Sequence, residues 1–187
     1  MRELSLHLLD IAENSIAADA KNICVKVTED TQNDLLQMSV IDDGRGMDAA
    51  TAARVVDPFV TSRTTRKVGL GIPFLKQAAE LCNGELTIFS QKGIGTTLEV
   101  HFQRSHIDRM PMGNLPATIL NLVIANPQVH WTFDYRFDDR TFTFDDAPIK
   151  QELAGVAMTE PPVLSCLREM LETGVLEIQQ GYASITN

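Results

Sequence analysis

Apolar residues recur at helical spacing near the start of the chain and predict a helix over residues 6–18, with Ser5 as its N-cap. The polar side of this helix carries His7, Asp10 and Asn14. Its buried side consists of five apolar residues, Leu8, Leu9, Ile11, Ala12 and Ile16.

Segments rich in Val, Ile and Leu predict two antiparallel β-hairpins. Residues 23–29 and 35–42 form the first hairpin and are joined by a polar stretch. Residues 85–90 and 96–103 form the second hairpin, around the turn Lys92-Gly93-Ile94-Gly95.

The pattern between the hairpins predicts helices over residues 48–55 and 70–82, the second ended by Asn83-Gly84. Residues 57–68 are expected to form a loop. Helices and strands are therefore segregated along the chain rather than strictly alternating. This order predicts an α+β fold, a two-layer α/β sandwich in which helices cover one face of a mixed sheet.

A second, smaller α+β unit is expected after a linker at residues 105–114, which carries Pro111 and Gly113. We therefore predict two domains, residues 1–104 and residues 105–187. The second domain would bind a partner or form a homodimer, or it would brace the sheet. Its expected elements are a helix over residues 115–125, a hairpin formed by residues 129–137 and 140–144, and two short helices over residues 149–155 and 162–172.

Composition narrows the classes of function. A length of 187 residues with 44% hydrophobic content is ordinary for a packed globule. The net charge of −9 and the pI near 4.8 oppose nucleic-acid binding, which needs clustered Lys and Arg. The apolar runs are too short to cross a bilayer, and the N-terminus lacks the features of a signal peptide. The expectation is a cytoplasmic protein that binds a nucleotide or another protein, with no nucleic-acid or membrane partner.

Asp10 and Asn14 lie four residues apart on one face of the first predicted helix. The Asn14 amide oxygen suits a hard cation such as Mg²⁺, which takes few protein ligands when phosphates supply the others. The Asp10 carboxylate would orient or deprotonate a nucleophile. Taken alone, a solvated helix face explains this pair better.

Three glycine-containing segments offer further candidates. Asp42-Asp43-Gly44-Arg45-Gly46-Met47 ends a strand in a carboxylate, and its glycines let the backbone approach a flat ligand. Gly69-Leu70-Gly71 opens a helix, where backbone N–H groups favour anions. Gly93-Ile94-Gly95-Thr96-Thr97 opens the last strand of the first unit. In isolation, an ordinary turn explains the first segment, a GxG before a helix is common, and a hairpin turn is the favoured explanation of the third segment.

Together, the order and spacing of these segments resemble the signature of the GHKL ATPase superfamily from Leu4 to Phe102. This superfamily has the Bergerat fold and includes sensor histidine kinases, MutL-type ATPases, gyrase-type topoisomerases and heat-shock chaperone ATPases. The N box is similar to the segment Leu9-Asp10-Ile11-Ala12-Glu13-Asn14-Ser15. Residues 42–46 resemble the G1 box. Three further segments resemble motifs of histidine kinases. The F motif is similar to Asp57-Pro58-Phe59, the G2 motif to residues 68–72, and the final GxGT motif to Gly93-Ile94-Gly95-Thr96.

The resemblance implies that the chain binds Mg²⁺ and ATP. Asn14 would ligate Mg²⁺, Asp42 would accept a hydrogen bond from the adenine amino group, and Thr96 would help hold Asp42 or a water. The base pocket would include Gly44, Gly46 and Met47. The phosphates would meet the G2 backbone and a short ATP lid, and the implied contact residues there are Phe59, Thr61, Arg63, Thr64, Thr65, Arg66, Lys67, Val68, Gly69, Leu70 and Gly71.

One departure from the family concerns Asp10, the implied catalytic base. The matching position is usually Glu in the ATPases and often Asn in histidine kinases, and Asp reaches less far. The N box begins within ten residues of Met1, which leaves no room for a phosphoacceptor-histidine dimerisation domain. We therefore expect a protein kinase that acts on a separate protein, in the manner of anti-sigma-factor serine kinases. An ATPase switch of the MutL or chaperone type and a nucleotide sensor without turnover stay open.

Overall fold

The computed structural model describes residues 3–56 and 71–183, which form six helices and six strands. In chain order the elements are α1 Leu4–Ala17, β1 Asn22–Asp30, β2 Leu35–Asp42, α2 Ala49–Val55, α3 Gly71–Leu81, β3 Glu85–Gln91, β4 Gly95–Gln103, α4 Leu115–Ala125, β5 His130–Phe137, β6 Arg140–Asp145, α5 Asp146–Leu153 and α6 Pro161–Ala183. None of these helices combines the length and the hydropathy that a bilayer span requires.

All six strands belong to one sheet, in the order β3-β4-β2-β1-β5-β6. Every neighbouring pair is antiparallel except β1 and β5, which run parallel. Buried residues alternate with more exposed ones along β1, β4 and β5. Since alternate side chains point to opposite faces, one face of the sheet carries the core. The predicted α+β sandwich is therefore confirmed.

Helix α1 begins earlier than predicted, and the predicted Ser5 cap is wrong. The N-cap residue is Glu3, whose side chain makes no capping hydrogen bond. Instead, the N–H groups of Leu4 and Ser5 donate to the carbonyl oxygens of Pro111 and Met112 over 3.0 and 2.8 Å. The backbone of the predicted linker thus satisfies N–H groups that a helix N-terminus leaves unpaired.

The part of the chain after residue 104 adds two strands to the same sheet. Strand β5 pairs with β1 from Asn22↔His130 to Glu29↔Phe137. The helix predicted at residues 162–172 is longer, because Gly174 does not end it. A Cβ on this glycine would lie 2.1 Å from the Phe142 ring, so the missing side chain allows α6 to approach β6. The division into two domains stays a prediction, and the sheet continues across its boundary.

A buried polar network joins β1 and β5 to α6. Tyr135 donates from its hydroxyl to Glu29 over 2.9 Å and accepts from Gln179 over 3.0 Å. Arg104 pairs with the same carboxylate over 2.9 Å. Burial and the Glu29 carboxylate raise the pKa of Tyr135 well above its ordinary value, so the hydroxyl stays protonated and can donate.

We expect Tyr135→Phe to lower the free energy of unfolding by about 1–3 kcal/mol, because it leaves the buried Glu29 oxygen that accepts from the hydroxyl without this partner. Urea unfolding of the full chain measures this loss. Gln179→Ala is the matched control, since it removes one hydrogen bond and leaves the Tyr135–Glu29 bond in place. Unfolding midpoints that are equal for Tyr135→Phe and the wild type would contradict the prediction.

Candidate functional site

A cavity of 570 Å³ lies between α1 and the sheet, a volume typical of small-molecule sites. It contains one carboxylate, Asp42, among mostly apolar and small residues. The turn after β2 and the side chains of α2 and α3 contribute to the same walls. The residues that line it are Ile11, Asn14, Ser15, Ala17, Ala18, Val40, Asp42, Arg45, Gly46, Met47, Val55, Ile72, Ile88, Thr96 and Leu98.

The Asp42 carboxylate ends β2 and is held by two donors. Ser15 on α1 donates from its hydroxyl to Oδ2 over 2.6 Å. The backbone N–H of Gly44 donates to Oδ1 over 2.9 Å. A carboxylate accepts about four hydrogen bonds, so lone pairs remain for the amino group of a ligand. The carboxylate is thus oriented before any ligand arrives.

The turn that follows Asp42 needs its glycines. The backbone of Gly46 has a φ of 60°, and a Cβ there would lie 2.0 Å from the carbonyl oxygen of Gln91. A Cβ on Gly44 would lie 2.8 Å from the carbonyl oxygen of Ala18. The turn therefore packs by its backbone against both α1 and the end of β3.

Ser90 connects this turn to the β3–β4 hairpin. Its hydroxyl accepts from the Met47 N–H over 2.8 Å and lies 2.8 Å from the Thr96 hydroxyl. The Asp42 carboxylate makes its described hydrogen bonds with Ser15 and Gly44 and none with Thr96, although the two residues are opposite each other in the β2–β4 register. The predicted role of Thr96 in holding a water stays a prediction.

Helix α1 also carries Asp10 and Asn14. Asn14 is exposed and lines the cavity next to Ser15. Asp10, one turn earlier, meets the first residue of α3, because a Cβ on Gly71 would lie only 1.6 Å from the Asp10 carboxylate. This helix therefore places an amide, a hydroxyl and a carboxylate between the Asp42 end of the cavity and the N-terminus of α3.

The structure brings together eight of the predicted site residues, which are Asp10, Asn14, Asp42, Gly44, Gly46, Met47, Gly71 and Thr96. The remaining predictions lie outside the described residues, namely Phe59, Thr61, Arg63, Thr64, Thr65, Arg66, Lys67, Val68, Gly69 and Leu70.

Sequence reasoning missed Ser15 and Ser90 as site residues. Ser15 belongs to the segment that resembles the N box, so this resemblance was a usable signal. Ser90 carries no such signal, because its contacts depend on how the β3–β4 hairpin meets the turn after Asp42. A second cavity of 730 Å³ between α2 and β3 shares Asp42, Ile88 and Thr96 with the first.

Residues 2–106 match the family of histidine kinase-, DNA gyrase B- and HSP90-like ATPases. The chain belongs to this family. The predicted superfamily is thereby confirmed, and the cavity beside Asp42 lies within its ATP-binding domain.

Two curated relatives of this ATPase-family chain are sensor proteins. The heme sensor protein HssS of Staphylococcus saprophyticus is 31% identical over 96 residues, which are 51% of this chain and 21% of that protein. The sensor protein kinase FleS of Pseudomonas aeruginosa is 43% identical over 58 residues, which are 31% of this chain and 14% of that protein. The chain thus spans about a fifth or less of these relatives.

Among solved structures, the N-terminal domain of a DNA repair protein resembles this ATPase-family fold with a TM-score of 0.55 at 13% identity. The likeness covers 76% of this chain and 52% of that chain. It supports the fold assignment alone.

We expect Asp42→Asn to weaken ATP binding about tenfold or more, because an amide group would replace part of the acceptor that the family resemblance assigns to the adenine amino group. Calorimetric titration with Mg²⁺ and a non-hydrolysable ATP analogue measures this. Asp43→Asn is the neighbouring control, since Asp43 bonds to Lys21 and Asn22 instead of the cavity. Equal losses in both variants would contradict a specific role for Asp42.

We expect Gly46→Ala to lower both ATP affinity and the free energy of unfolding, the latter by about 1–3 kcal/mol, since it combines a positive φ with overlap at Gln91. Gly93→Ala separates these effects. Gly93 has a φ of 78° but open space around a Cβ, so this variant has only the conformational cost. Thermal unfolding and analogue titration compare the two, and a similar affinity in both variants would show that the Gly46 contact is unimportant.

Proposed function

We propose that this protein binds Mg²⁺ and ATP in the cavity beside Asp42 and transfers the γ-phosphate to a separate protein. The observation that supports this best is the arrangement along α1. Ser15 orients the Asp42 carboxylate, Asn14 lines the cavity, and Asp10 meets the N-terminus of α3. Helix α1 thus contacts both the Asp42 carboxylate, which would recognise the base, and the N-terminus of α3, which would bind phosphate.

The Asp42 carboxylate supports selection of adenine. The exocyclic amino group of adenine is a donor, whereas guanine presents a carbonyl oxygen at the corresponding edge. A carboxylate that accepts only fits the donor and repels the carbonyl oxygen. The surrounding Ile11, Val40, Ile88 and Leu98 offer apolar contacts to a planar base.

The donor set at the other end fits magnesium and phosphate. Asn14 offers an exposed amide oxygen, and hard oxygen ligands suit Mg²⁺. Magnesium, when bound, neutralises phosphate charge. The first turn of α3 has N–H groups without partners inside the helix, and these favour anions. Asp10 lies against this turn, where it would orient the hydroxyl group that attacks the phosphate.

The positions of the histidines support phosphotransfer to another protein. His7 is buried in α1, and His101 and His130 lie on strands. His106 lies in the segment between β4 and α4. The described part of the chain therefore has no exposed helical histidine that resembles a phosphoacceptor. FleS, a relative named a sensor protein kinase, is consistent with phosphotransfer.

The proposed partners are ATP and a protein substrate in the cytoplasm, with residues 105–187 as a partner-binding or dimerisation unit. The acidic net charge of −9 favours a protein partner over nucleic acid.

The test is incubation of the purified full chain with Mg²⁺ and radiolabelled ATP, alone and with proteins from a cell lysate. We expect label to appear on a second protein, together with little release of free phosphate. Asn14→Ala is expected to abolish transfer, because the amide oxygen proposed to hold Mg²⁺ is lost. Gel autoradiography and a phosphate-release assay measure the two products.

Glu13→Ala is the matched control, because Glu13 is exposed and its position is rotated by about 100° around the helix from Asn14. Transfer that persists in Asn14→Ala contradicts the proposed site. Phosphate release without label on any protein contradicts the kinase and supports an ATPase switch. Tight nucleotide binding without either product supports a sensor.

A further inference from the structure

Strand β6 forms one edge of the sheet. Among the described residues it pairs with β5 on one side and has no strand on the other. The opposite edge differs, because α2 lies beside β3 and lines a cavity together with it. An edge strand exposes a row of unpaired backbone N–H and C=O groups, which is a template for another strand. The free edge at β6 can therefore bind one.

The turn before β6 shows which backbone groups point outward. The β5–β6 hairpin closes with the pair Phe137↔Arg140 around a two-residue turn. The closing pair of such a turn is hydrogen-bonded, and hydrogen-bonded pairs alternate along antiparallel strands. Even-numbered residues of β6 therefore bond to β5. The backbone N–H and C=O groups of Thr141 and Thr143 point away from it.

The sequence of β6 lacks the features that protect an edge strand from association. Such features include proline, a central charge and a β-bulge. The register with β5 is continuous along the whole of β6, which excludes a bulge. The four residues between Arg140 and Asp145 are threonines and phenylalanines, which favour strands. The middle of this edge is thus regular and uncharged.

Helix α6 carries an exposed apolar side chain beside the same edge. Arg168 and Glu172 line a small cavity with α4, so this side of α6 faces α4. Gly174 faces the Phe142 ring on the opposite side, and Met170 precedes Gly174 by one turn. Met170 is 41% exposed. The apolar surface therefore continues from the edge strand to the neighbouring helix.

A second copy of the chain matches this surface better than an extended peptide does. A peptide strand would cover the free backbone groups and leave Met170 exposed. A second copy, related by a two-fold axis, brings its own β6 and α6 to the edge together. Antiparallel pairing also places the Arg140 end of each strand beside the Asp145 end of the other, so opposite charges approach each other.

The spacing of helices and strands agrees with this arrangement. Gln179 of α6 donates to Tyr135 on β5, and Gly174 meets Phe142 on β6, so the helix lies over both strands. Paired strands are about 4.8 Å apart. A helix centred between β5 and β6 then lies about 10 Å from its copy across the axis, which is the spacing of packed helices.

We propose that two copies of this chain form a homodimer in which the β6 strands pair antiparallel across a two-fold axis at Phe142. The outward backbone groups of Thr141 in each copy then bond to those of Thr143 in the other, and the two sheets join into one. The half-buried Phe142 rings meet at the axis, and both Met170 side chains become covered. This inference rests on the dimerisation role proposed for residues 105–187 and does not need the kinase activity.

The test measures the mass of the purified full chain in solution by sedimentation and light scattering, without nucleotide, over a range of concentrations. We expect the wild type to change from one copy of 20.7 kDa to two copies as the concentration rises. Thr143→Pro removes an outward N–H and leaves the bonds between β5 and β6 in place. The dissociation constant of this variant should be about tenfold higher or more.

Thr143→Val is the matched control, because it keeps the backbone N–H and should dimerise as the wild type does. Met170→Glu tests the helix contact without a change in the strand, and we expect it to weaken dimerisation about tenfold or more. Leu176→Glu is its control, since Leu176 is similarly exposed but lies about 120° around α6 from Met170. Circular dichroism checks the fold of each variant, and Met170→Glu decides the test if Thr143→Pro does not fold.

Hydrogen exchange of the backbone amides identifies the paired strand. We expect the Thr141 and Thr143 amides to be protected at concentrations where the wild type is a dimer. In Met170→Glu at the same concentration they should exchange freely. The Phe142 and Phe144 amides, which bond to β5, should be protected in both proteins.

A wild type that keeps the mass of one copy at every concentration overturns the inference. A dimer that Thr143→Pro and Met170→Glu leave unchanged also overturns it, because this dimer forms through another surface. Protection of Thr141 and Thr143 in a single copy contradicts it as well, since another part of the chain then pairs with β6. These measurements use no nucleotide, so a failure of the proposed phosphotransfer leaves their outcome unchanged.

Discussion

The proposed nucleotide site depends on direct backbone contact between the turn after β2 and its two neighbours. A Cβ on Gly95 would lie 1.9 Å from the carbonyl oxygen of Asp42, and a Cβ on Gly46 would lie 2.0 Å from that of Gln91. The corresponding distance from Gly44 to the Ala18 carbonyl oxygen is 2.8 Å. Side chains at these positions would push the segments apart. Because α1, the turn and the β3–β4 hairpin touch in this way, the position of the Asp42 carboxylate is defined without a ligand, and binding need not include the cost of ordering it.

The sheet makes the C-terminal part of the chain a neighbour of this site. Strand β1 lies between β2, which ends in Asp42, and β5, with which it pairs in parallel. Side chains join both ends of the β1–β5 pair. The Glu29–Tyr135 bond lies at one end, and a chain of hydrogen bonds from Asp43 through Asn22 and His130 to Asp145 lies at the other.

This connection provides a physical basis for the proposed partner-binding role of residues 105–187. Asp43 is adjacent to Asp42 in the turn, and Asp145 caps α5 through the Ala147 N–H. A partner that displaces β6 or α5 would disturb groups bonded to the turn after β2, which is proposed to bind adenine. The hydrogen bonds near His130 are half exposed, so each contributes little alone, and the continuous β1–β5 ladder is the stronger link.

The sequence predicted the local elements and motifs well, because their signals lie within a few residues. Strand β2 and helix α4 have the predicted bounds, and Asn83 adopts the expected positive φ of 54°. Contacts between distant segments were not predictable. The cap of α1 comes from Pro111 and Met112, and the continuation of α6 through Gly174 depends on the Phe142 ring. Ser90 likewise becomes a site residue only through tertiary packing.

The short side chain of Asp10 is matched by Gly71. The resemblance implies that relatives with Glu have an additional methylene at this position. In this chain the missing Cβ of Gly71 lets the start of α3 approach the short Asp10 carboxylate. In the proposed function, what differs is the position of the carboxylate when phosphate occupies that helix end, because a short side chain stays close to α1. The groups of α1 within one turn, rather than the length of the acidic side chain, then determine whether Asp10 can act as a base.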